Sequence, residues 1–354
     1  MRKPIRVLIV EDSLVVRELL KHIIGSDPRF EIVAAVDSAE KCLELLDSAA
    51  PDIISLDIRL PGMNGLDATL QIMARRPTPI VVVAAQVDDD ELNIAMNALR
   101  AGALSVVEKP VGVTNSAFET MAAKLCTQLA IMSQVKVVRQ GIDRGLRFGP
   151  PEIPSPQIPL RASTRYAMLG IAASTGGPQA LIQLLTGLGA DFPLPILLVQ
   201  HITASFLEGF VSWLSASTPF KASIAENDEL PLAGHIYLAP VDKHFGLLHG
   251  RLAQMDGGPV CNQRPSGTVL FASMARELGR SGLGVILTGM GSDGSDGLYE
   301  MYKAGAYTIG EDSSTCVVYG MPAAAAKLGA LREALPLPAI APRLRNLAVG
   351  GGES

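Results

Sequence analysis

Leu169-Gly-Ile-Ala-Ala-Ser-Thr-Gly-Gly-Pro178 is the stretch from which the second half of this 354-residue chain is read. An apolar run over residues 166–173 stops at Ser174 and two glycines follow. Pro178, with Ala180, Leu181, Leu184 and Leu185 at helical spacing, then opens a helix. A buried strand therefore hands over to a helix at a serine. At the carboxyl end of a parallel strand, side chains open into a crevice and the new helix presents free N–H groups. A serine so placed can be a nucleophile or an anion ligand, and a plain glycine-rich turn has the same pattern, so partners elsewhere must decide.

The chain supplies two. Residues 196–200 form a short apolar strand with His201 directly at its end. Residues 283–287 form another, followed by Thr288-Gly-Met-Gly-Ser-Asp-Gly294, which carries Asp293 in a glycine-rich loop. In a parallel sheet all three side chains face one crevice. A serine hydroxyl needs a base near neutral pH, and an imidazole with an ordinary pKa of about 6.5 suits that task. Asp293 would fix the tautomer of His201, and the backbone N–H groups of Thr175 and Met290 would receive the oxyanion, a contribution of about 3 kcal/mol per donor. The rivals are weaker: His244 and His249 belong to an alternating hairpin segment, His22 to a helix and His235 to a strand start, while Asp296 and Asp312 compete with Asp293. The order Ser, His, Asp and the absence of GxSxG set the site apart from the α/β-hydrolase pattern.

In residues 1–125, apolar runs at 5–10, 32–36, 53–56, 80–84 and 103–107 alternate with amphipathic segments at 15–24 and 39–46, the pattern of a parallel sheet covered on both faces. Glu11 and Asp12 follow the first strand, Asp57 the third, and Lys109-Pro110 the fifth. Three converging acids repel one another unless a hard cation sits among them, which suits Mg²⁺. Lys109 would balance an incoming phosphoryl group.

Hydrophobic residues make up 48% of the chain and charged residues 18%, a globular composition, and the net charge of −5 gives no footprint for nucleic acid. Residues 126–165 stand apart, with six Lys and Arg against two Asp and Glu and a density of Gly and Pro over 141–160 that excludes regular structure. They read as an amphipathic extension through Val138 and then a linker. Four cysteines without CxxC spacing suit a reducing cytoplasm. The start lacks a signal peptide and no apolar run spans a membrane, so a soluble cytoplasmic protein without membrane insertion is expected. Residues 350–354 read as an unstructured tail.

Residues 4–123, through Glu11, Asp12, Leu56-Asp57-Ile58-Arg59-Leu60-Pro61-Gly62-Met63-Asn64-Gly65 and Lys109-Pro110, resemble the receiver domain of two-component response regulators. The resemblance implies that Asp57 accepts phosphate from a histidine kinase, and that Asp12, Asp57 and the Arg59 carbonyl hold Mg²⁺. Ala84 and Val106 stand where the family usually has Ser or Thr and Tyr or Phe, the pair that relays phosphorylation. Residues 166–335 resemble the catalytic domain of the chemotaxis protein-glutamate methylesterases. The match runs through 170–178, Val199-Gln200-His201, 234–240, 256–259, Arg264-Pro265-Ser266, 284–294 and Cys316-Val-Val-Tyr-Gly-Met-Pro322. Gln263, Gly267 and Thr268 depart from that family's usual His and Val-Asp pair. This resemblance implies hydrolysis of glutamyl methyl esters on chemoreceptors with release of methanol, deamidation of receptor glutamines in some members, no cofactor for hydrolysis, and a receiver that covers the site until phosphorylated. The expected architecture is α/β: two doubly wound parallel-sheet domains, a flavodoxin-like receiver (1–125) and a methylesterase domain (166–350), joined by the Pro/Gly-rich linker (126–165). The alternative is a signalling adaptor with an inactive esterase-like domain.

Overall fold

Short apolar strands in both halves bury both faces only if helices cover them, and that is the arrangement found. In this computed structural model the described residues are 3–84, 89–110, 115–135, 137 and 166–349. The chain separates into two units, Met1–Leu146 and Arg147–Ser354. The first contains β1 (Ile5–Val10), α1 (Leu14–Gly25), β2 (Phe30–Val36), α2 (Ala39–Ala49), β3 (Ile53–Asp57), α3 (Gly65–Arg75), β4 (Ile80–Ala84), α4 (Asp89–Arg100), β5 (Ser105–Glu108) and α5 (Asn115–Met132). Its sheet has the order β2-β1-β3-β4-β5, parallel throughout. The order reverses between β1 and β3, so a crevice opens at their carboxyl ends. Helix α5 continues past Cys126 to Met132, which is where the sequence places an amphipathic extension. Of the connector, 136 and 138–165 lie outside the described residues, as does the tail over 350–354.

The second unit contains β6 (Met168–Ala173), α6 (Gly177–Leu188), β7 (Ile196–Gln200), α7 (Ala204–Ser217), β8 (Lys221–Ile224), β9 (His235–Leu238), β10 (His244–Leu248), β11 (Arg251–Met255), α8 (Gly267–Leu278), β12 (Gly282–Ile286), α9 (Ser295–Lys303), β13 (Tyr307–Glu311), α10 (Met321–Lys327), β14 (Glu333–Leu335) and α11 (Leu337–Ala348). Seven strands form a parallel sheet, β14-β13-β12-β6-β7-β9-β8, and β10-β11 is an antiparallel hairpin, as the alternation around His244 foretells. The first strand, β6, lies in the middle. The chain builds outward through β7 on one side, then returns to lay β12 on the other, so the switch point is flanked by the three strands that precede Ser174, His201 and Asp293.

Packing holds this frame. Residues of β6, β7 and β12 are all buried, and α8 seats Leu270, Phe271 and Met274 in a core with Ala172, Val199 and Ile286. Each such side chain contributes about 1.5–3 kcal/mol on burial. Helix α8 therefore cannot slide, and its N-terminus is fixed beside the switch point.

Candidate active site

The position of Ser174 follows from local backbone chemistry. Strand β6 ends at Ala173, and Gly176 takes φ +80°, where an added Cβ would lie 2.6 Å from the Val317 Cβ. Only glycine turns the chain there without strain. The turn leaves Ser174 half-buried, and its hydroxyl makes no hydrogen bond among the described residues. Ala173 pairs with Gln200 across β6 and β7, so Ser174 and His201 are the next residues along neighbouring strands, whose axes lie about 4.8 Å apart. The His201 N–H donates to Ala173 O at 3.1 Å, which ties the two strand ends together.

His201 Nε2 lies 2.9 Å from Asp293 Oδ2. Asp293 is only 2% exposed, and every contact it makes comes from a donor. Ser266 Oγ donates to Oδ1, Gly267 N–H to Oδ2 at 2.7 Å and Thr268 N–H to Oδ1 at 3.3 Å. Burial pushes this carboxyl up, but the hydrogen bonds from His201 and Ser266, the nearby imidazole and the Gly267 N–H outweigh it and hold the group below its ordinary value. The carboxylate thus caps the first turn of α8, where free N–H groups and the helix dipole favour an anion. An ionised carboxylate only accepts, so the proton of His201 sits on Nε2. Nδ1, buried and without a partner, is the nitrogen left to take a proton from a neighbour.

The rivals are placed elsewhere. His244 Nε2 bonds Gly258 O at 2.9 Å, His235 stacks on Tyr237, and His22 lies in α1. Asp296 is exposed in α9, and Asp312 accepts from the Ser314 N–H at 2.8 Å.

Neither the Thr175 N–H nor the Met290 N–H donates to any group among the described residues, whereas the backbone around both is tied down. Thr288 is the hub. Its carbonyl accepts from Ser174 N at 3.0 Å, its hydroxyl donates to Thr175 O and accepts from Val318 N, both at 2.9 Å, and its N–H donates to buried Glu311 at 2.9 Å. Gly289 O accepts from Gly320 N at 3.1 Å and Met321 N at 2.8 Å. The Cys316–Pro322 stretch thereby enters the site through its backbone. Sequence reasoning gave no role to Ser266, Thr288 or Glu311, and marked Gly267 only as a departure from the family pattern. Ser266 before an apolar-periodic segment is a legible N-cap, and it does accept from Thr268 N. Its second bond, to a carboxylate 27 residues away, leaves no local trace.

In the first unit, oxygens of Glu11, Asp12 and Asp57 lie within 4.8 Å of one another. Lys109 Nζ lies 2.8 Å from Asp57 Oδ2 and 2.9 Å from Glu11 Oε2. Burial and the charge of Asp57 push Glu11 up to about 7 despite Lys109, and burial raises Asp57 as well. Lys109 moves up too, because its ion pairs outweigh its own burial. Three converging carboxylates, two of them buried, make an all-oxygen donor set that fits a hard divalent cation. The Arg59 N–H donates to Asp57 Oδ1 at 3.3 Å, so Arg59 sits at the same strand end. Ala84 is buried with no hydroxyl to offer, and Val106 is half-buried in β5.

A parallel-sheet domain that brings a serine and a histidine to the ends of neighbouring strands, with the imidazole held on a buried carboxylate, and that follows a second parallel-sheet domain with a carboxylate cluster at its own strand ends, has the frame of a signalling-linked ester hydrolase. The CheB methylesterase family matches residues 169–344 and the response regulator receiver domain family residues 7–117. The chain is 74% identical over 351 residues to a protein-glutamate methylesterase/protein-glutamine glutaminase of Paramagnetospirillum magneticum, covering 99% of each. It is 41% identical to one of Myxococcus xanthus, covering 99% of this chain and 98% of the relative. The crystal structure of the Thermotoga maritima CheB methylesterase catalytic domain is 32% identical with a TM-score of 0.49, covering 51% of this chain and 98% of that one. The chain belongs to the protein-glutamate methylesterase/protein-glutamine glutaminase family.

Proposed function

We infer that the second unit hydrolyses γ-glutamyl methyl esters on chemoreceptors, and carboxamides of receptor glutamines at the same site, under control of phosphorylation at Asp57. The observation that carries the reading is the imidazole of His201, held through Nε2 by Asp293 with Nδ1 buried and unpaired, on the residue that ends the strand neighbouring the one before Ser174. In this reading Ser174 Oγ attacks the ester carbonyl as Nδ1 takes its proton. The tetrahedral oxyanion is received by the N–H groups of Thr175 and Met290. Collapse breaks the C–O bond, and the leaving methoxide takes the proton from His201 as methanol. Water then repeats the sequence on the acyl-serine to leave a glutamate carboxylate; a glutamine substrate loses ammonia instead. The imidazolium formed in each step is stabilised by Asp293, whose depressed pKa keeps it ionised.

For the receiver, a histidine kinase is the expected phosphodonor. Glu11, Asp12 and Asp57, with the Arg59 carbonyl, would hold Mg²⁺, which offsets charge on the incoming phosphoryl group together with Lys109. The domains would span 1–125 and 166–350 with a connector over 126–165. Among the described residues no helix is long and apolar enough to cross a membrane, and a cytoplasmic site of action is the one that brings receptor helices and kinase together. The test is methanol release from methylated chemoreceptor with and without a phosphodonor. Release that rises with the phosphodonor and vanishes in Ser174→Ala supports the reading; release independent of Ser174 overturns it.

A further inference from the structure

Gln200 closes β7 immediately before His201 and is 7% exposed. Its position belongs to a strand buried on all sides, where an apolar residue would serve packing better. Its carboxamide nitrogen instead donates one hydrogen to Ser174 O at 2.9 Å and the other to His201 O at 3.0 Å. One planar group thus grips the main chain of both the residue that attacks and the residue that takes the proton. The arrangement is maintained at a cost: Gln200 Oε1 is buried with no hydrogen-bond partner, and helix α6 begins with Gly177, whose missing side chain leaves the space that oxygen fills.

The consequence lies on the far side of the peptide. In a trans peptide the carbonyl of one residue and the N–H of the next point in opposite directions. Ser174 O, held by Gln200 Nε2 and by Gly177 N at 2.8 Å, therefore fixes where the Thr175 N–H points. Met290 shows the same construction, since Gly289 O is held by Gly320 N and Met321 N. The second donor is aimed by backbone alone; the first depends on a side chain. We propose that Gln200 is a positioning residue that aims the Thr175 N–H at the developing oxyanion and holds the His201 backbone in register with Ser174. This rests on the hydrolytic reading above and adds to it a residue that touches neither substrate nor the reacting atoms.

The experiment uses the full chain with Gln200→Met, which keeps length and removes both donors, and with Gln200→Glu, which keeps shape and when ionised donates nothing. Turnover of methylated receptor gives kcat and KM, and inhibition by an alkylboronic acid, which forms a tetrahedral adduct on serine, reports the oxyanion site directly. A donor misplaced by about an ångström is expected to lower kcat by about 100-fold and weaken the boronic acid in proportion, with KM little changed. A folded variant with unchanged kcat, a loss carried by KM, or undiminished boronic acid binding would overturn the proposal. If Gln200→Met does not fold, Gln200→Glu is read the same way, and failure of both by circular dichroism makes Gln200 a structural residue and also overturns it. The parent chain runs alongside: no methanol from it counts against the methylesterase reading, whereas the positioning role is judged only on the ratio of variant to parent, for any ester the parent turns over.

Discussion

Replacing Asp293 by Asn tests the site where its geometry is most constrained. The two carboxylate oxygens accept from four donors: Ser266 Oγ and Thr268 N on Oδ1, His201 Nε2 and Gly267 N on Oδ2. An amide can present only one oxygen, so its NH₂ must face a backbone N–H of α8 whichever way it turns. The unmet donor costs about 1–3 kcal/mol of stability, and loss of the anion at the helix N-terminus adds about 0.3–1 kcal/mol. If the NH₂ faces His201, Nε2 becomes the acceptor and the proton moves to Nδ1, the nitrogen that must be empty to receive one from Ser174. A triad with its imidazole in the wrong tautomer loses about 10⁴-fold in kcat, roughly 5.5 kcal/mol at about 1.4 kcal/mol per tenfold. Single-turnover methanol release and thermal unfolding read the two effects separately. A variant within about tenfold of the parent in kcat would refute the reasoning and move the orienting role to another group.

Further outcomes follow from the same contacts. Thr288→Val, which removes the hydroxyl between Thr175 O and Val318 N, should lower kcat more than KM, and Thr288→Ser should restore most of the loss; equal activity of the two would refute the linkage. Gly267→Ala would place a Cβ 2.7 Å from the Ala172 Cβ, so a stability loss of about 1–3 kcal/mol is expected by chemical denaturation. Because the Asp293 carboxyl is lowered in the fold, its stabilising contribution is complete above its unfolded value of about 3.9 and is lost as pH falls through its lower folded value. Asp293→Asn should therefore flatten the acid limb of the unfolding profile below about pH 4. Adding Mg²⁺ should raise the melting temperature of the receiver more at pH 8 than at pH 5, since at the lower pH the cation competes with protons on Glu11, whose carboxyl is pushed up to about 7. With Ala84 and Val106 in place of a hydroxyl and a ring, acetyl phosphate should stimulate turnover less than it does in the Ala84→Thr, Val106→Tyr variant.

Much of this was legible in the sequence because strand ends announce themselves. Strands over 5–10, 80–84 and 196–200 coincide with the structure, since apolar runs stop where the chain must leave the sheet. Asp12 and His201 come after two of these runs, and Ser174 after the run over 166–173 that closes as β6 at Ala173, so all three occupy strand ends for that reason alone. What the sequence could not show was angular and long-range. Periodicity does not say that His201 turns Nε2 toward Asp293 and leaves Nδ1 buried and unpaired. Ser266 and Gly267 meet Asp293 only because α8 packs on β6 through Phe271 and Met274. Gln200 read as the last residue of an apolar strand, and nothing local marked its carboxamide as a clamp across two strands. The buried Glu311, lying under the Thr288 N–H, was hidden for the same reason.

Labelling with a fluorophosphonate reads the reaction at its first step, the attack of a serine oxygen on an electrophilic centre beside the oxyanion donors. Mass spectrometry of the labelled chain should find one adduct, on the peptide containing Ser174, formed at least about 10³-fold more slowly when His201 is replaced by Ala. An adduct on another residue, or one whose rate is indifferent to His201, would contradict hydrolysis by this serine.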